Sequence, residues 1–324
     1  MRKIINAGIN FILKPFDLAL QKSSLKWERD ALAALYESRT RWIPKTSEHP
    51  AECIIFSKDR ALQLHALLAS YYEKVDFPVP LHVLYHTSNP THQKAYEEVM
   101  TLFADYSTSF IKQKSDNSFQ EDLIEILSSL QADKVLFLVD DVIFIEDVDM
   151  RDFVKFDTDK FVPSLRMGLN IKHFYHLNKT QVLPEYVHNI SEGKDKIIWE
   201  WNQGVYDWRY PLSVDGHLFS TQEMTAMVRL ISFQAPNSFE DKLQQFLNIY
   251  LYRFGVSYCK SKIVNIPCNK VQEENDNICG NIDQDFLLKQ WGKGVQMDYK
   301  KLYGFINESV HQEIAFDLIT RRAD

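Results

Sequence analysis

Two adjacent carboxylates, Asp140 and Asp141, end a continuous apolar run, Lys134-Val-Leu-Phe-Leu-Val139, near the middle of the chain. Acids side by side raise one another's pKa and burial raises both further, so such a pair calls for a cation or hydrogen-bond donors to hold it. The chemistry this suits is a metal or nucleotide site. The plainer alternative has one acid capping the next turn while water solvates the other. A second polar cluster, Ser57-Lys-Asp-Arg60, follows an earlier apolar run, Glu52-Cys-Ile-Ile-Phe56, in the same manner.

The elements that must position these clusters follow from hydrophobic periodicity. Residues 52–57, 81–85, 109–111 and 135–139 read as short strands. Between them, 61–72, 92–103 and 120–130 carry helical spacing, with Leu62, Leu64, Leu67, Leu68 and Tyr71 marking the buried face of the first. Alternation of this kind predicts an α/β fold, a mainly parallel sheet with right-handed crossovers flanked by helices. Ligands of such sheets bind beyond the carboxyl ends of the strands, where both Ser57–Arg60 and Asp140–Asp141 fall, so the two clusters can share one crevice.

That order of strand, Ser57-Lys58-Asp59-Arg60, βα units and apolar strand ending in acids resembles the nucleotide-sugar-binding half of GT-A glycosyltransferases, the family 2-like group especially. The resemblance covers about residues 51–245. It implies a Rossmann-type sheet, a nucleotide-sugar donor, a glycan or lipid-linked acceptor, and an Asp-X-Asp motif holding Mn²⁺ or Mg²⁺. Asp140 and Asp141 are assigned to that motif by position, since Val142 stands where a third acid would complete it. Donor contacts are then expected from Ser57, Asp59, Arg60, Asp140 and Arg166, and metal contacts from Asp141, Asp140 and His217.

Further candidates lie in the second half. Arg166, in Phe161-Val-Pro-Ser-Leu-Arg-Met-Gly-Leu-Asn170, can face a phosphate or serve as a structural ion-pair partner. Trp199, Trp201 and Trp208 crowd into residues 198–210 beside Tyr206 and Tyr210; flat rings either stack on an acceptor sugar or fill a core. In the similar transferases a Gly-containing acceptor loop precedes an acidic element, which makes Asp215 and Glu240 the candidates for the base, with Asp241 behind them on the acceptor side. Asp215-Gly216 is also an ordinary turn signal, and Glu240 also suits a capping box opening a helix over 239–250. His217 is either a metal ligand or a plain hydrogen-bonded imidazole.

The ends differ from the middle. The first fifty residues hold nine Lys or Arg against five Asp or Glu, so the chain's net −7 leaves −11 for the rest. Over 1–20, polar and apolar residues segregate at helical spacing, with Pro15 as a kink; this amphipathic segment is too polar to span a bilayer and suits either an anionic membrane surface or packing on the body. The division expected is 1–50 as a helical N-terminal segment, 51–254 as the nucleotide-sugar and acceptor domain, and 255–324 as an extension forming a lid or simply finishing the fold. In that extension 263–272 reads as an edge strand, and 284–291 and 309–322 as helical. Cys53, Cys259, Cys268 and Cys279 show no C-x-x-C spacing, which argues against a zinc cluster; without a signal-peptide pattern the simplest compartment is cytoplasmic, though a Cys268–Cys279 bridge stays open. Net acidity argues against a general nucleic-acid binder.

Three other readings share parts of this pattern. A sugar-phosphate nucleotidyltransferase would be expected to carry a Gly-rich phosphate loop after its first strand, and Ser57-Lys-Asp-Arg-Ala61 has no Gly. A receiver domain places its acids after the first strand. A catalytically inactive GT-A-like scaffold in a membrane-associated assembly keeps the fold and loses metal binding at Val142.

Overall fold

The structure, a computed structural model, describes residues 26–40, 47–185, 188–189, 195–268 and 282–321. The amphipathic pattern over 1–20 and the Cys279 half of the proposed bridge lie outside these residues; Cys53 and Cys268 are free thiols.

Residues 26–40 form a helix, α1, which lays Ala31 and Leu35 on the body, sets Trp27 5.1 Å from Phe246 and ties Arg39 to Glu223 at 2.6 Å. The βα series then follows: β1 (Glu52–Lys58), α2 (Ala61–Lys74), β2 (Leu81–His86), α3 (Pro90–Leu102), β3 (Thr108–Lys112), α4 (Phe119–Ser129), β4 (Lys134–Val139) and the short β5 (Val142–Phe144). Helix α3 starts where Asn89 accepts hydrogen bonds from the Thr91 and His92 N–H groups, with Pro90 in its first turn.

Downstream come β6 (Phe161–Pro163), β7 (Lys196–Glu200), β8 (Leu218–Ser220), α5 (Thr221–Val228), α6 (Pro236–Leu243), β9 (Phe254–Tyr258), β10 (Ile263–Asn265), α7 (Gln284–Gly292), β11 (Val295–Met297) and β12 (Leu318–Thr320). The main sheet runs β8-β4-β1-β2-β3, parallel except for β8, which joins β4 antiparallel. The chain steps outward from β1 to β3 and returns to the other side of β1 with β4, so the order reverses between β1 and β4. Their carboxyl ends carry the two polar clusters, and such a switch point opens a crevice in an α/β sheet.

Both faces of the central strands β1 and β4 are covered, which explains why they read as unbroken apolar runs. Cys53, Ile55, Leu136 and Leu138 face one core under α2, α3 and α7. Ile54, Phe56, Val135 and Phe137 face a second core built with α1, α4, α5 and the tryptophans.

The tail departs from expectation in two places. The boundary drawn at 254 falls inside a strand, because β9 pairs with both β7 and β6, while β10 pairs with β5; the segment after 254 thus completes the body. Residues 309–321, the described part of the stretch expected to be helical, do not form a helix, since Ile314, Phe316 and Leu318 repeat at two-residue steps and pack one face on the core, and β12 pairs antiparallel with β11. Among the described residues no helix is long and apolar enough to cross a membrane.

Candidate active site

The switch point fixes the central group. Parallel pairing of β1 with β4 sets Phe56 opposite Val139, and the Asp140 N–H continues the ladder to the Phe56 carbonyl at 3.1 Å. Asp140 Oδ2 therefore accepts from Ser57 Oγ (2.8 Å) and the Lys58 N–H (3.2 Å). Arg60 Nη1 lies 3.0 Å from Asp140 Oδ1 and 3.0 Å from Asp141 Oδ2. Asn265, brought in by β10 pairing with β5, donates to Asp141 Oδ1 at 2.8 Å. Burial pushes both carboxyls above the usual range, their mutual repulsion adds to it for Asp140, and Arg60 pulls both back down.

Asp59 holds the turn that aims Arg60. Its φ is +54°, a left-handed conformation that non-glycine residues adopt at a cost and that Asp tolerates better than most. Its carboxylate accepts from the Ser88 N–H at 2.8 Å, and its own carbonyl accepts from Gln284 at 3.1 Å. The Arg60 N–H is held by the Tyr96 hydroxyl at 3.1 Å. Asp59 thus positions its neighbour, and the expected cluster of Ser57, Asp59, Arg60, Asp140 and Asp141 assembles in space.

A second acidic group adjoins it. Gly216, at φ +80°, turns the chain into β8 and leaves Asp215 buried, with no close hydrogen bond to either carboxylate oxygen among the described residues. Asn265 lies against this carboxylate as well as Asp141, so it links the two groups. His311 Nε2 sits 3.7 Å from Asp215 Oδ2, placed by a bridge between Asn265 and His311. Burial pushes Asp215 up to about 6, against the pull of Arg166 and with the push of Glu240. Glu240 is raised by burial too, while Arg166, Ser213 and the Val214 N–H draw it down. It does not cap its helix: Ser238 Oγ accepts from the Ala235 N–H at 3.0 Å and fills that role.

Several candidates stand elsewhere. Arg166 does not face the crevice as a phosphate ligand; its side chain is 3% exposed, bonded to Asp207 and Ser213 at 2.7 Å each and 3.7 Å from Asp215. Trp199, Trp201 and Trp208 are no sugar platform, because all three are fully buried and pack edge-on, with ring centroids 4.8–5.0 Å from Trp199. Trp199 lies so close on Gly255 that a Cβ there would come within 2.1 Å of the ring. His217 is sealed against Trp201 and Phe219 on the far side of the turn; its Nδ1 lies 2.9 Å from the Pro211 carbonyl and burial lowers its pKa to about 3. It joins no metal shell. Asp241 stands on the surface of α6, paired with its neighbour Lys242 at 3.1 Å.

Among the described residues no three His, Cys, Asp or Glu side chains converge as metal ligands. Each of the four oxygens of Asp140 and Asp141 already takes a protein donor, and Arg60 stands between the two acids. As arranged, the residues do not fit a divalent ion. The sequence reading missed Asn265 and His311; each lies in a stretch without a motif, and only the pairing of β10 brings them to the acids.

No protein-family model matches the sequence. The bifunctional glycosyltransferase pgtA of Dictyostelium discoideum is 22% identical over 265 residues, covering 72% of this chain and 34% of that protein. The chain thus spans about a third of that relative's length. Among solved structures, S. aureus TarS 1–349 in complex with UDP-GlcNAc matches at TM-score 0.45 with 15% identity over 71% of this chain and 60% of that one. A nucleotidyl transferase from Methanothermobacter matches at 0.36 with 10% identity over 66% and 89%. Structural likenesses at this level do not separate the two classes. The sequence match runs to a glycosyltransferase, and the GT-A resemblance rests on it together with the Ser57–Arg60 and Asp140–Asp141 pattern.

Proposed function

We propose that this chain is a glycosyltransferase that moves a sugar from a nucleotide-sugar donor to a hydroxyl of a glycan or lipid-linked acceptor. The observation that carries the reading is the convergence of Ser57–Arg60 and Asp140–Asp141 at the switch point of a parallel sheet, with a second acid, Asp215, across from them. A nucleoside diphosphate fits beyond the ends of β1 and β4, where Arg60 meets the negative charge that grows on the diphosphate as the anomeric C–O bond breaks. The acceptor oxygen forms the new bond and gives up its proton. Asp215 is the carboxylate for that proton, since it is buried beside the dyad with only Asn265 against it as a hydrogen-bond donor among the described residues, and its pKa of about 6 suits a group that works near neutrality. Glu240 and Arg166 position it. No step is assigned to a divalent ion.

The basic amphipathic pattern of residues 1–20 supports docking on an anionic membrane surface and a role in surface polysaccharide or glycolipid synthesis. A flotation assay with and without residues 1–22 tests the docking; unchanged lipid binding after truncation ends it. The donor site is tested by thermal-shift titration of wild type and Asp141→Ala with UDP, GDP, CDP and dTDP, since a ligand of the folded state raises its apparent stability. One nucleotide should stabilise wild type and lose its effect in the variant. No response to any of them favours the inactive scaffold.

A further inference from the structure

We propose that the cation held between Asp140 and Asp141 is this chain's own Arg60, in place of a divalent metal ion, and that a nucleoside diphosphate binds here without metal. A single nitrogen, Nη1, lies 3.0 Å from one oxygen of each acid, which is the bridging position that an ion shared by both carboxylates would take. Among the described residues the remaining oxygens already take Ser57, the Lys58 N–H and Asn265 as donors, so an ion would have to compete with a hydrogen bond at every oxygen of the pair. Val142, buried and paired with Asn265 in the β5–β10 ladder, supplies an apolar side chain where a third acid would bring the charge a metal needs.

The arginine is also fixed in place. Its backbone N–H is held by Tyr96, and the preceding residue, Asp59, is pinned in its left-handed turn by Ser88 and Gln284. An unfavourable backbone conformation persists where its surroundings over-determine it, and here the outcome is a guanidinium delivered to one spot. An ion entering the dyad would have to expel a side chain that is only 11% exposed and doubly hydrogen-bonded to carboxylates, an interaction stronger than a neutral hydrogen bond. The cation exchange stands on these residues alone; only the nucleotide clause rests on the transferase reading.

The test is Mn²⁺ binding followed by the electron paramagnetic resonance of the free ion, on full-length wild type, Arg60→Ala, Arg60→Lys and Arg60→Ala/Asp141→Ala, with circular dichroism confirming the fold of each. Wild type and Arg60→Lys should take up little Mn²⁺, Arg60→Ala should bind it about tenfold or more tightly than wild type, and the double variant should lose the gain. Stoichiometric Mn²⁺ binding by wild type overturns the proposal, as does a folded Arg60→Ala that gains no site. Calorimetric titration of wild type with UDP, GDP, CDP and dTDP, in EDTA and then in Mn²⁺, adds the second arm. Equal affinity in both supports the proposal, and binding that requires Mn²⁺ overturns it. If no nucleotide binds in either condition while the Mn²⁺ pattern holds, the cation exchange stands and the transferase reading fails.

Discussion

Two arginines in this molecule each sit against a pair of aspartates, and they do different work. Arg60 bridges Asp140 and Asp141 at the carboxyl ends of β1 and β4, on the rim of the crevice. Arg166 is bonded to Asp207 and lies near Asp215, fully enclosed behind the Gly216 turn that leads into β8. Residue types and charges match; what separates them is whether the backbone ends at a switch point or passes through a core. A buried ion pair away from a crevice organises the fold, whereas one at a switch point faces ligand.

The largest effect that tests this contrast is on activity at the Arg60 side. Asp141→Ala should lower transfer by about 10²–10³-fold while leaving the denaturation midpoint unchanged or higher, because the variant removes a repelled, buried acid. Steady-state rates beside a urea melt check it, and a large loss of stability would move the dyad into the structural class. At the other arginine the signs reverse. Arg166→Ala leaves Asp207 buried without its cation and should cost about 3–5 kcal/mol, read as a fall in urea midpoint. A stable Arg166→Ala that had lost donor binding would reinstate Arg166 as a phosphate ligand.

Asp215 lies between the two regions and should show both behaviours. Its folded pKa of about 6 exceeds the ordinary carboxylate value, so the folded state binds the proton more tightly. Its contribution is therefore fully favourable at low pH, falls as pH rises from about 4 to about 6 and is flat above. Asp215→Asn should flatten that window and raise stability at neutral pH by on the order of 2–3 kcal/mol, while transfer falls by about 10²-fold or more. Urea melts across pH 4–7 give the first and initial rates the second; a destabilised Asp215→Asn would make the acid a structural partner of Arg166. The smallest effect belongs to Asp241, exposed and paired with its neighbour Lys242. Asp241→Asn should shift stability by less than about 0.5 kcal/mol, and any change it makes should appear in acceptor KM rather than kcat.

Much of the frame was legible before the structure. The seven elements predicted between Glu52 and Val139 fall within two residues of their limits, because the central strands β1 and β4 are covered on both faces and the helices carry apolar stripes. The dyad and the Ser57–Arg60 cluster were legible for the same reason: a strand end is visible as the place where an apolar run stops. The tryptophans misled because aromatic clusters look alike in a core and on a platform, and only the close approach to Gly255 shows which this is. The segment 309–322 misled because its mixed charge hid the two-residue step of Ile314, Phe316 and Leu318.

By itself, then, the sequence determined the α/β class, the elements around the main sheet and the two polar clusters at strand ends, since periodicity and apolar runs are local properties of the chain. Tertiary structure alone decided that Arg60 rather than Arg166 serves the acids, that Asn265 and His311 join them, and that His217 turns away. Those outcomes depend on strand pairing between residues more than forty positions apart and on which face of a strand a side chain takes, and neither is written in the spacing of any one segment.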